Sequence, residues 1–316
     1  MPKVELGRTG LQVSPLVFGT LPLGPLQAGL SVREGGRLIR HGLERGINLL
    51  DTAELYGTYD HIRAGVEGFS GEVLIASKTH AADPATARSH LERALREMKR
   101  DYVDLLHLHA PRLEDPLENR KGVWEQLLRL KEEGKACHLG VSSHVAPVVR
   151  RLAQAAEVEV IHPLINRAGL GIIGGSVEEM AGAIRACAQA GKGIYAMKAL
   201  AGGNLISQAR DSLRFVKELP GVAAVAVGML STAEIDANVA LFGGGPELEP
   251  DWKRLEQRQR RLHIMELFCT GCGACVTACT NRALYVEGGK ARLREQDCIL
   301  CGYCAAACPN FLIRVV

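Results

Sequence analysis

The sequence predicts an α/β chain, a (β/α)8 TIM barrel followed by a small C-terminal α+β domain. Short apolar runs alternate with amphipathic helical patterns eight times before Gly243–Gly245, which is typical of a closed parallel barrel. No G-x-G-x-x-G follows a strand, as an open dinucleotide-binding sheet would require. Eight of the ten cysteines lie after residue 268. We expect the barrel over residues 1–248, a linker helix over 249–262 and the cysteine-rich domain over 263–316.

The predicted barrel strands are apolar throughout, as parallel strands buried on both faces are. They are Leu16–Gly19, Ile47–Asp51, Val73–Ser77, Asp104–His109, Cys137–Val141, Glu157–His162, Gly193–Met197 and Ala223–Val227. Helical spacing of Leu, Val and Ala predicts amphipathic helices between them, for example over Pro84–Met98 and Val123–Glu133. Ahead of the first strand, Val4–Leu6 and Leu11–Val13 predict a hairpin that closes the barrel floor.

After the barrel the chain becomes polar and then rich in cysteine. We expect Trp252–Arg261 to be a solvated linker helix anchored by Trp252. The last eight cysteines form two copies of C-x-x-C-x-x-C-x-x-x-C, and Pro309 follows the second copy. This is the bacterial ferredoxin run for [4Fe–4S] clusters, in which the fourth cysteine ligates the other cluster. Zinc sites usually use paired C-x-x-C knuckles further apart, and disulfides would require a secreted domain.

The crossed rule assigns four cysteines to each cluster. One cluster is expected on Cys269, Cys272, Cys275 and Cys308, and the other on Cys298, Cys301, Cys304 and Cys279. The resulting domain is a ferredoxin-type iron–sulfur domain that arose by internal duplication. It is too small for a large core, so we expect the clusters to hold it folded.

Other features bear on compartment and partners. We expect no secretory signal at the start of the chain, and no apolar run reaches bilayer length. Because the cysteines must stay reduced to receive iron, we expect a cytoplasmic protein. From Asp251 onward there are ten Lys and Arg against six Asp and Glu. We interpret this excess as compensation for the cluster charge, since the stacking aromatics of a nucleic-acid site are missing.

Four polar residues stand at the carboxyl ends of three successive strands, where parallel barrels keep their catalytic groups. Asp51 ends the second strand and Tyr56 follows in its loop, Lys78 comes just past the third strand, and His109 closes the fourth. Alone, each is an ordinary cap, loop charge or satisfied histidine. Together on one rim, they predict an active site.

These residues lie in motifs that resemble the aldo-keto reductases. The motifs are Leu6–Leu11, Asp51–Gly57, Ser77–Thr79 and Asp104–His109, and the resemblance extends from residue 3 to about residue 242. It implies that an aldehyde or ketone is reduced by hydride transfer from NAD(P)H, with the tyrosine as general acid.

The resemblance also implies how the four residues divide the work. Asp51 would hold Lys78, and the ammonium of Lys78 would lower the pKa of Tyr56. His109 would orient the substrate oxygen. The structural alternative is a barrel whose four residues are idle.

Nucleotide contacts are implied by the same resemblance. They are Gly19, Thr20, Ser142, Ser143, Met197, Gly228, Ser231, Glu234 and Asn238. Ser142 and Ser143 would hold the nicotinamide carboxamide, with Glu159 in the place of a glutamine, and Met197 would face the ring. Glu234 replaces a basic residue, which suits a ribose 2′-hydroxyl better than a phosphate and argues against a preference for NADP.

Three other histidines lie on or near this rim. We place His107 on the strand face opposite to His109 and interpret it as a packing residue. We expect His80 and His144 to be substrate neighbours.

Hydride transfer moves two electrons, whereas a [4Fe–4S] cluster normally moves one, and three hypotheses stay open. The first is an NAD(P)H-dependent carbonyl reductase whose clusters relay electrons or are structural. The second is an electron-transfer protein whose barrel docks a partner or a flavin. The third is a redox sensor. The expected partners are a small carbonyl substrate and, for a relay, a ferredoxin or other redox partner. We expect neither a nucleic acid nor a membrane.

Overall fold

The computed structural model describes residues 1–246, 249–310 and 312–315, with the backbone alone at residues 249 and 250. The chain opens with an antiparallel hairpin of β1 (Val4–Glu5) and β2 (Gln12–Val13). Eight parallel strands then close a barrel: β3 (Leu16–Gly19), β4 (Leu49–Asp51), β5 (Leu74–Thr79), β6 (Val103–His109), β7 (Ala136–Ser143), β8 (Val160–Pro163), β9 (Gly193–Ala196) and β10 (Ala224–Gly228). Since β10 pairs with β3 and completes the ring, the predicted (β/α)8 barrel is confirmed.

A ring of helices surrounds the barrel. In chain order the helices are α1 (Val32–Glu44), α2 (Tyr59–Val66), α3 (Pro84–Met98), α4 (Pro116–Asn119), α5 (Lys121–Glu132), α6 (Ala146–Leu152), α7 (Val177–Gln189), α8 (Ala209–Lys217), α9 (Thr232–Gly243) and α10 (Glu249–Glu256). Helix α1 starts with a capping box between Ser31 and Glu34, which satisfies two of its free amide groups. Within the described residues, no helix combines the length and the apolar character needed to cross a membrane.

The hairpin closes the amino-end floor of the barrel. Leu6, which follows β1, is fully buried in the interior core beside Leu49 and Leu105. Gly7 (φ +59°) permits this close approach, because a Cβ there would lie 2.2 Å from the Gly193 nitrogen. With the floor filled, the carboxyl-end mouth is the place left for a site.

Several element boundaries differ from the expected ones by a few residues, and two of these differences change how a residue is interpreted. Strand β5 continues to Thr79, so Lys78 lies inside the strand and not after it. Helix α10 ends at Glu256, although we expected a helix as far as Arg261. Trp252 and Leu255 are buried in the barrel core, so α10 is a packed element and not a solvated linker.

This packing makes Trp252 a test of the helix. We expect Trp252→Ala to lower the free energy of unfolding by about 3–5 kcal/mol, because a large buried ring leaves a cavity. Leu267→Ala is the matched control, since Leu267 is 82% exposed and its loss should cost under about 0.5 kcal/mol. Urea unfolding followed by far-UV circular dichroism measures both. Equal, small effects would contradict the packed helix.

The C-terminal domain repeats one small unit. In chain order it contains β11 (Leu262–Ile264), α11 (Ala274–Ala278), β12 (Leu284–Glu287), β13 (Lys290–Leu293), α12 (Tyr303–Ala307) and β14 (Ile313–Val315). Strand β11 pairs with β14, and β12 pairs with β13. Each half therefore has a short helix inside its cysteine motif and a short strand after it, as the duplication predicts.

This domain sits on the carboxyl-end mouth of the barrel. Asn204 Nδ2, in the loop after β9, donates to the Cys298 carbonyl (2.7 Å). Gly202 (φ +74°) lies so close that a Cβ there would be 1.7 Å from the Ile299 carbonyl oxygen. Only a residue without a Cβ permits this backbone contact, so the barrel loop is shaped to its own C-terminal domain.

Candidate active site at the barrel mouth

The structure brings the four predicted catalytic residues together. Lys78 Nζ donates to Asp51 Oδ1 (2.7 Å) and to the Thr52 carbonyl (2.8 Å). The ammonium lies 5.0 Å from the centre of the Tyr56 ring. The ring of His109, at the end of β6, has its centroid 6.5 Å from that of Tyr56. Their catalytic roles stay predictions.

Deeper in the barrel, two aromatic residues of β8 and β9 support Asp51. Tyr195 donates its hydroxyl to Asp51 Oδ2 (3.0 Å) and hydrogen-bonds with His107 Nε2 (2.7 Å). The ring of His162 stacks on Tyr195 at 4.0 Å. Sequence analysis missed Tyr195 and His162, although a polar ring inside an apolar strand was a usable signal. The predicted orientation of His107 was wrong, because residues two apart in a strand share a face; His107 is nevertheless fully buried, as a packing residue is.

Burial controls the proton states of the mouth. It lowers the pKa of His107, His109 and His162 well below the usual value, and neighbouring charges, including Lys78, add to the effect. His109 is therefore a neutral hydrogen-bonding group at pH 7. Burial, together with Tyr303 and Asp51, raises the pKa of Tyr56 well above 10. The expected lowering by Lys78 is wrong for this closed arrangement, in which Asp51 neutralises the ammonium.

The C-terminal domain contributes Tyr303 to the site. Its hydroxyl hydrogen-bonds with His109 Nε2 (3.3 Å), and Tyr303 packs against the cluster that contains Tyr56. The hydroxyl therefore stands beside His109, where the resemblance implies the substrate oxygen. No local pattern marks Tyr303, which occupies a free position of the cysteine motif, so only the docking of the two domains reveals it.

Of the two predicted substrate neighbours, His80 is held by protein contacts. Its Nδ1 lies 2.8 Å from Glu54 Oε1, and its ring centroid lies 3.7 Å from that of His109. Although burial opposes ionisation, hydrogen bonds from His80 keep the pKa of Glu54 below its usual value. His144 is buried, and its Nδ1 has no hydrogen-bond partner among the described residues.

The residues expected to hold nicotinamide are covered. Ser142 is fully buried, and its Oγ finds no partner in the described chain, whereas Ser143 Oγ accepts the Val145 amide (3.1 Å). Met197 is 8% exposed and packs with Ile299 of the C-terminal domain. The proposed role of Glu159 is wrong, because it bonds with His138 Nδ1 (2.8 Å) at the opposite end of the barrel strands.

At the expected adenosine end, several of the residues make contacts within the chain itself. Ser231 accepts the Glu234 amide (3.2 Å) as the cap of α9, and Glu234 forms an ion pair with Arg258. Asn238 is buried, and its Oδ1 lacks a partner among the described residues. At Gly228, a Cβ would lie 2.3 Å from Pro22 Cγ.

Gly19 and Thr20, the remaining expected nucleotide contacts, lie at the end of β3. A Cβ on Gly19 would be 3.3 Å from the backbone of β10. Thr20 is fully buried, and its Oγ1 donates to the Asp51 carbonyl (2.9 Å). Thr20 therefore supports the strand end that carries Asp51.

The cysteines of the C-terminal domain line two cavities. The outer set, around one cavity, is Cys269, Cys272, Cys275 and Cys308. The inner set, around the other cavity, is Cys279, Cys298, Cys301 and Cys304. Each set takes its fourth cysteine from the other motif copy, which is the crossed arrangement that the spacing predicts. Cys301 contacts the apolar cluster of Leu164, Met197 and Ile299, so the inner set is the one beside the barrel.

The chemistry of these cavities suits iron–sulfur clusters. The Ala283 amide donates to Cys279 Sγ (3.2 Å) and the Ala291 amide to Cys269 Sγ (3.3 Å), and such bonds tune a cluster. Burial and neighbouring thiolates raise the pKa of Cys304. Four thiolates at such a site need bound cations, and iron meets this need.

The crossed sets predict a pattern of cysteine variants. We expect Cys308→Ser to disturb the cluster of the outer set, and Cys279→Ser that of the inner set. Combining Cys308→Ser with Cys272→Ser should then affect one cluster only, because both residues serve the same set. Combining Cys279→Ser with Cys272→Ser should affect both. Iron analysis and electron paramagnetic resonance measure this, and the reverse pattern would contradict the crossed sets.

Family comparisons agree with both parts of the chain. The Aldo/keto reductase family model matches residues 15–211, and a 4Fe-4S dicluster domain model matches residues 261–309. "Probable aldo-keto reductase 1" from Glycine max is 29% identical over 177 residues, which is 51% of this chain and 49% of that protein. "Aldo-keto reductase YhdN" from Bacillus subtilis (strain 168) is 26% identical over 182 residues, 52% of this chain and 54% of that protein. The chain thus spans about half the length of these curated relatives.

Solved structures match more of the barrel. The crystal structure of PA4992 from Pseudomonas aeruginosa has a TM-score of 0.65 at 29% identity, and the match covers 77% of this chain and 95% of that chain. The holo form of aldo-keto reductase AKR11C1 from Bacillus halodurans has a TM-score of 0.64 at 22% identity, covering 81% and 95%, which supports the fold alone. The family match spans well over half of the sequence, so this chain belongs to the aldo/keto reductase family and carries a 4Fe-4S dicluster domain at its C-terminal end.

Proposed function

We propose that this protein is an iron–sulfur oxidoreductase that reduces a carbonyl group beside Tyr56, with electrons arriving through its own C-terminal domain. One observation carries the proposal. Tyr303 stands between the inner-set ligands Cys301 and Cys304 in the sequence, hydrogen-bonds with His109 and packs against the cluster that contains Tyr56. The inner set and the predicted catalytic residues therefore form one continuous site.

The two cysteine sets would hold two [4Fe–4S] clusters, which supply electrons one at a time. Conversion of a carbonyl to an alcohol consumes two electrons and two protons. Because Tyr56 is buried with a raised pKa, it stays protonated at neutral pH and can give a proton to the substrate oxygen. His109, neutral at this pH, orients that oxygen. The ammonium of Lys78, which Asp51 holds in place, faces the ring of Tyr56 and offsets the charge that remains on Tyr56 until it is reprotonated.

The family implies NAD(P)H, and the residues here do not fit it while the C-terminal domain is in place. Two orphaned polar atoms, Ser142 Oγ and Asn238 Oδ1, are compatible with a nucleotide. The residues between these two atoms do not fit a nucleotide, because Ile299 packs against Met197 and Arg258 forms an ion pair with Glu234. We therefore derive no step through NAD(P)H, and the hydride mechanism remains the alternative.

Binding separates these two alternatives. We expect neither NADH nor NADPH at ~1 mM, the upper end of ordinary substrate affinities, to shift the thermal midpoint of the iron-loaded protein. A site filled at 100 times its dissociation constant would stabilise the protein by about 2.7 kcal/mol. If NADH or NADPH raises the thermal midpoint and Asn238→Ala or Ser142→Ala removes this rise, the nucleotide mechanism is restored.

The proposed function is tested by supplying single electrons. Iron-loaded protein with reduced methyl viologen should reduce carbonyl compounds in the absence of any nicotinamide. Cys301→Ser should lose this turnover, and Cys137→Ser, at an exposed cysteine of the barrel, should keep it. Turnover with NAD(P)H but none with the viologen would overturn the proposal.

A further inference from the structure

We propose that the C-terminal domain is an iron-dependent gate, which closes the mouth of the barrel only while the inner cysteine set holds its cluster. The inference goes beyond the proposed function, because it concerns access to the mouth and requires no electron transfer. It rests on the loop of residues 298–303, here called the docking loop, which both lines the inner cavity and contacts the barrel.

The docking loop is hydrogen-bonded to two loops of the barrel mouth. Gln27 Nε2 donates to the Leu300 carbonyl (3.2 Å), and Asn204 Nδ2 donates to the Cys298 carbonyl (2.7 Å). Both acceptors are main-chain groups, so these bonds depend on the backbone conformation of the docking loop and not on the identity of its side chains.

Close packing completes the contact with the barrel. Ile299 packs against Met197, and a Cβ on Gly202 would lie 1.7 Å from the Ile299 carbonyl oxygen. On the loop side, a Cβ on Gly302 would lie 2.4 Å from the Leu26 carbonyl oxygen. Closely packed interfaces are formed or broken and do not deform continuously, so the barrel accepts the docking loop in one conformation.

The same loop forms part of the wall around the inner cysteine set. Cys298, Ile299, Cys301 and Gly302 line the inner cavity together with Cys279. Two of these residues are inner-set ligands, so bonds to a cluster would fix the docking loop at two points. Among the described residues that line the outer cavity, none belongs to the docking loop. The inner set therefore controls the shape of this loop, and the outer set does not.

The docking loop holds a conformation that its own sequence does not favour. Leu300 has a φ of +48°, in the left-handed region that disfavours residues with a Cβ. The equivalent position in the first motif copy is Gly271 (φ +66°), which adopts this region freely. Because the Leu300 carbonyl accepts the bond from Gln27, relaxation of this strained backbone would break a contact with the barrel. A loop without its cluster is expected to relax in this way.

Release of the docking loop would open the mouth. Ile299 leaves Met197, and Tyr303 leaves His109, when the loop moves away. Helix α10 remains packed on the barrel, and residues 257–261, which join it to β11, have no helix or strand. Binding of the cluster and docking of the loop support each other, as linked equilibria must. Iron supply would thus decide whether the mouth is covered.

The test compares the loss of an inner ligand with the loss of an outer ligand. Cys279→Ala removes an inner ligand that lies outside the docking loop, and Cys308→Ala removes an outer one. We expect amide hydrogen exchange in barrel residues 21–28 and 200–205 to be ~10-fold or more faster in iron-loaded Cys279→Ala than in the wild type, and unchanged in Cys308→Ala. Iron content and electron paramagnetic resonance identify the cluster that each variant keeps. Equal exchange in two variants that each keep one cluster would overturn the proposal.

A second measurement decides the matter if either variant loses both clusters. Gly202→Ala places a Cβ against the Ile299 carbonyl and should hold the gate open with all eight cysteines in place. We expect one of its two clusters to lose iron to a chelator ~10-fold or more faster than in the wild type, with the other unchanged, because opening weakens only the inner site. Gly134→Ala is the matched control, since Gly134 has a φ of +73° against +74° at Gly202, but a Cβ there would have no described atom within 4 Å.

Release from Gly202→Ala at the rate of Gly134→Ala, or equal acceleration of both clusters, would overturn the gate. Neither experiment measures turnover, so the results are distinct from those for the proposed function. If no electron reaches a carbonyl but Cys279→Ala uncovers the mouth, the proposed function fails and the gate stands.

Discussion

Replacement of Tyr56 by phenylalanine is expected to lower viologen-driven turnover by about 10²–10⁴-fold, the usual contribution of a general acid. The variant keeps the buried ring but loses the hydroxyl that reaches the substrate oxygen. His109 cannot supply the proton, because burial keeps its pKa well below neutrality. Steady-state turnover, with iron content measured on the same sample, checks this result.

Tyr102→Phe is the matched control, since Tyr102 is a surface tyrosine of the same barrel, 40% exposed. It should retain wild-type turnover and iron content. A Tyr56→Phe protein that kept most of its turnover would show that the proton comes from another group.

A loss of stability in mild acid is the second large effect that we expect. Four buried histidines of the mouth, His107, His109, His144 and His162, have lowered pKa values, that of His144 about 3. The folded protein therefore does not take up protons that the unfolded chain binds below about pH 6.5. The stability that these neutral histidines contribute is fully present above that pH and is lost as the pH falls below it.

Each such histidine lowers the free energy of unfolding by about 1.4 kcal/mol for every unit by which the pH falls in this range. For His144, whose pKa is about 3, the loss between pH 6.5 and 5 is about 2 kcal/mol, and the other three histidines act in the same direction. Charged groups at the mouth act in both directions, since Lys78 disfavours and Asp51 favours protonation of His107. Urea midpoints of the barrel from pH 7 to pH 5, with cluster absorbance followed in parallel, measure the effect.

A pair of variants isolates the histidine contribution. His144→Leu removes one buried titrating group. It should therefore reduce the number of protons taken up on unfolding, which sets the pH dependence of the free energy of unfolding, by about one. His263→Asn, at an exposed position, should leave it unchanged. The same pH dependence in both variants would assign the acid sensitivity to cluster loss or to other groups.

The barrel and its four rim residues were predictable because their signals are local. Apolar runs define the strands, and parallel strands bring their carboxyl ends to one rim, so Asp51 and His109 meet. Cysteine spacing likewise determined the two thiol sets, since the geometry of the cluster domain follows from the motif.

The errors have equally physical causes. Alternation along β6 was misapplied to His107, which shares a face with His109. Glu159 was aligned to a glutamine by sequence alone, and the structure places it at the wrong end of its strand. Residues after Glu256 carry helix-forming side chains but lead to β11 through a turn and without regular secondary structure, because tertiary packing overrides propensity.

The docking of the C-terminal domain on the mouth was beyond local prediction. It depends on backbone contacts at glycines whose surroundings come from distant parts of the chain. Gly302, for example, lies so close to Leu26 that a Cβ would be 2.4 Å from its carbonyl oxygen. Tyr303 and Ile299 reach the site only through this contact, and the packing of Ile299 over Met197 follows from it.

The most direct test of the central claim is a single turnover of pre-reduced protein. Iron-loaded protein is reduced without oxygen, freed of reductant and mixed with an excess of the carbonyl substrate in the absence of nicotinamide. We predict that the visible absorbance of the oxidised clusters returns, that one product molecule forms for every two electrons released, and that Tyr56→Phe prevents product formation. Clusters that stay reduced until NADPH is added, with product appearing only then, would contradict the claim.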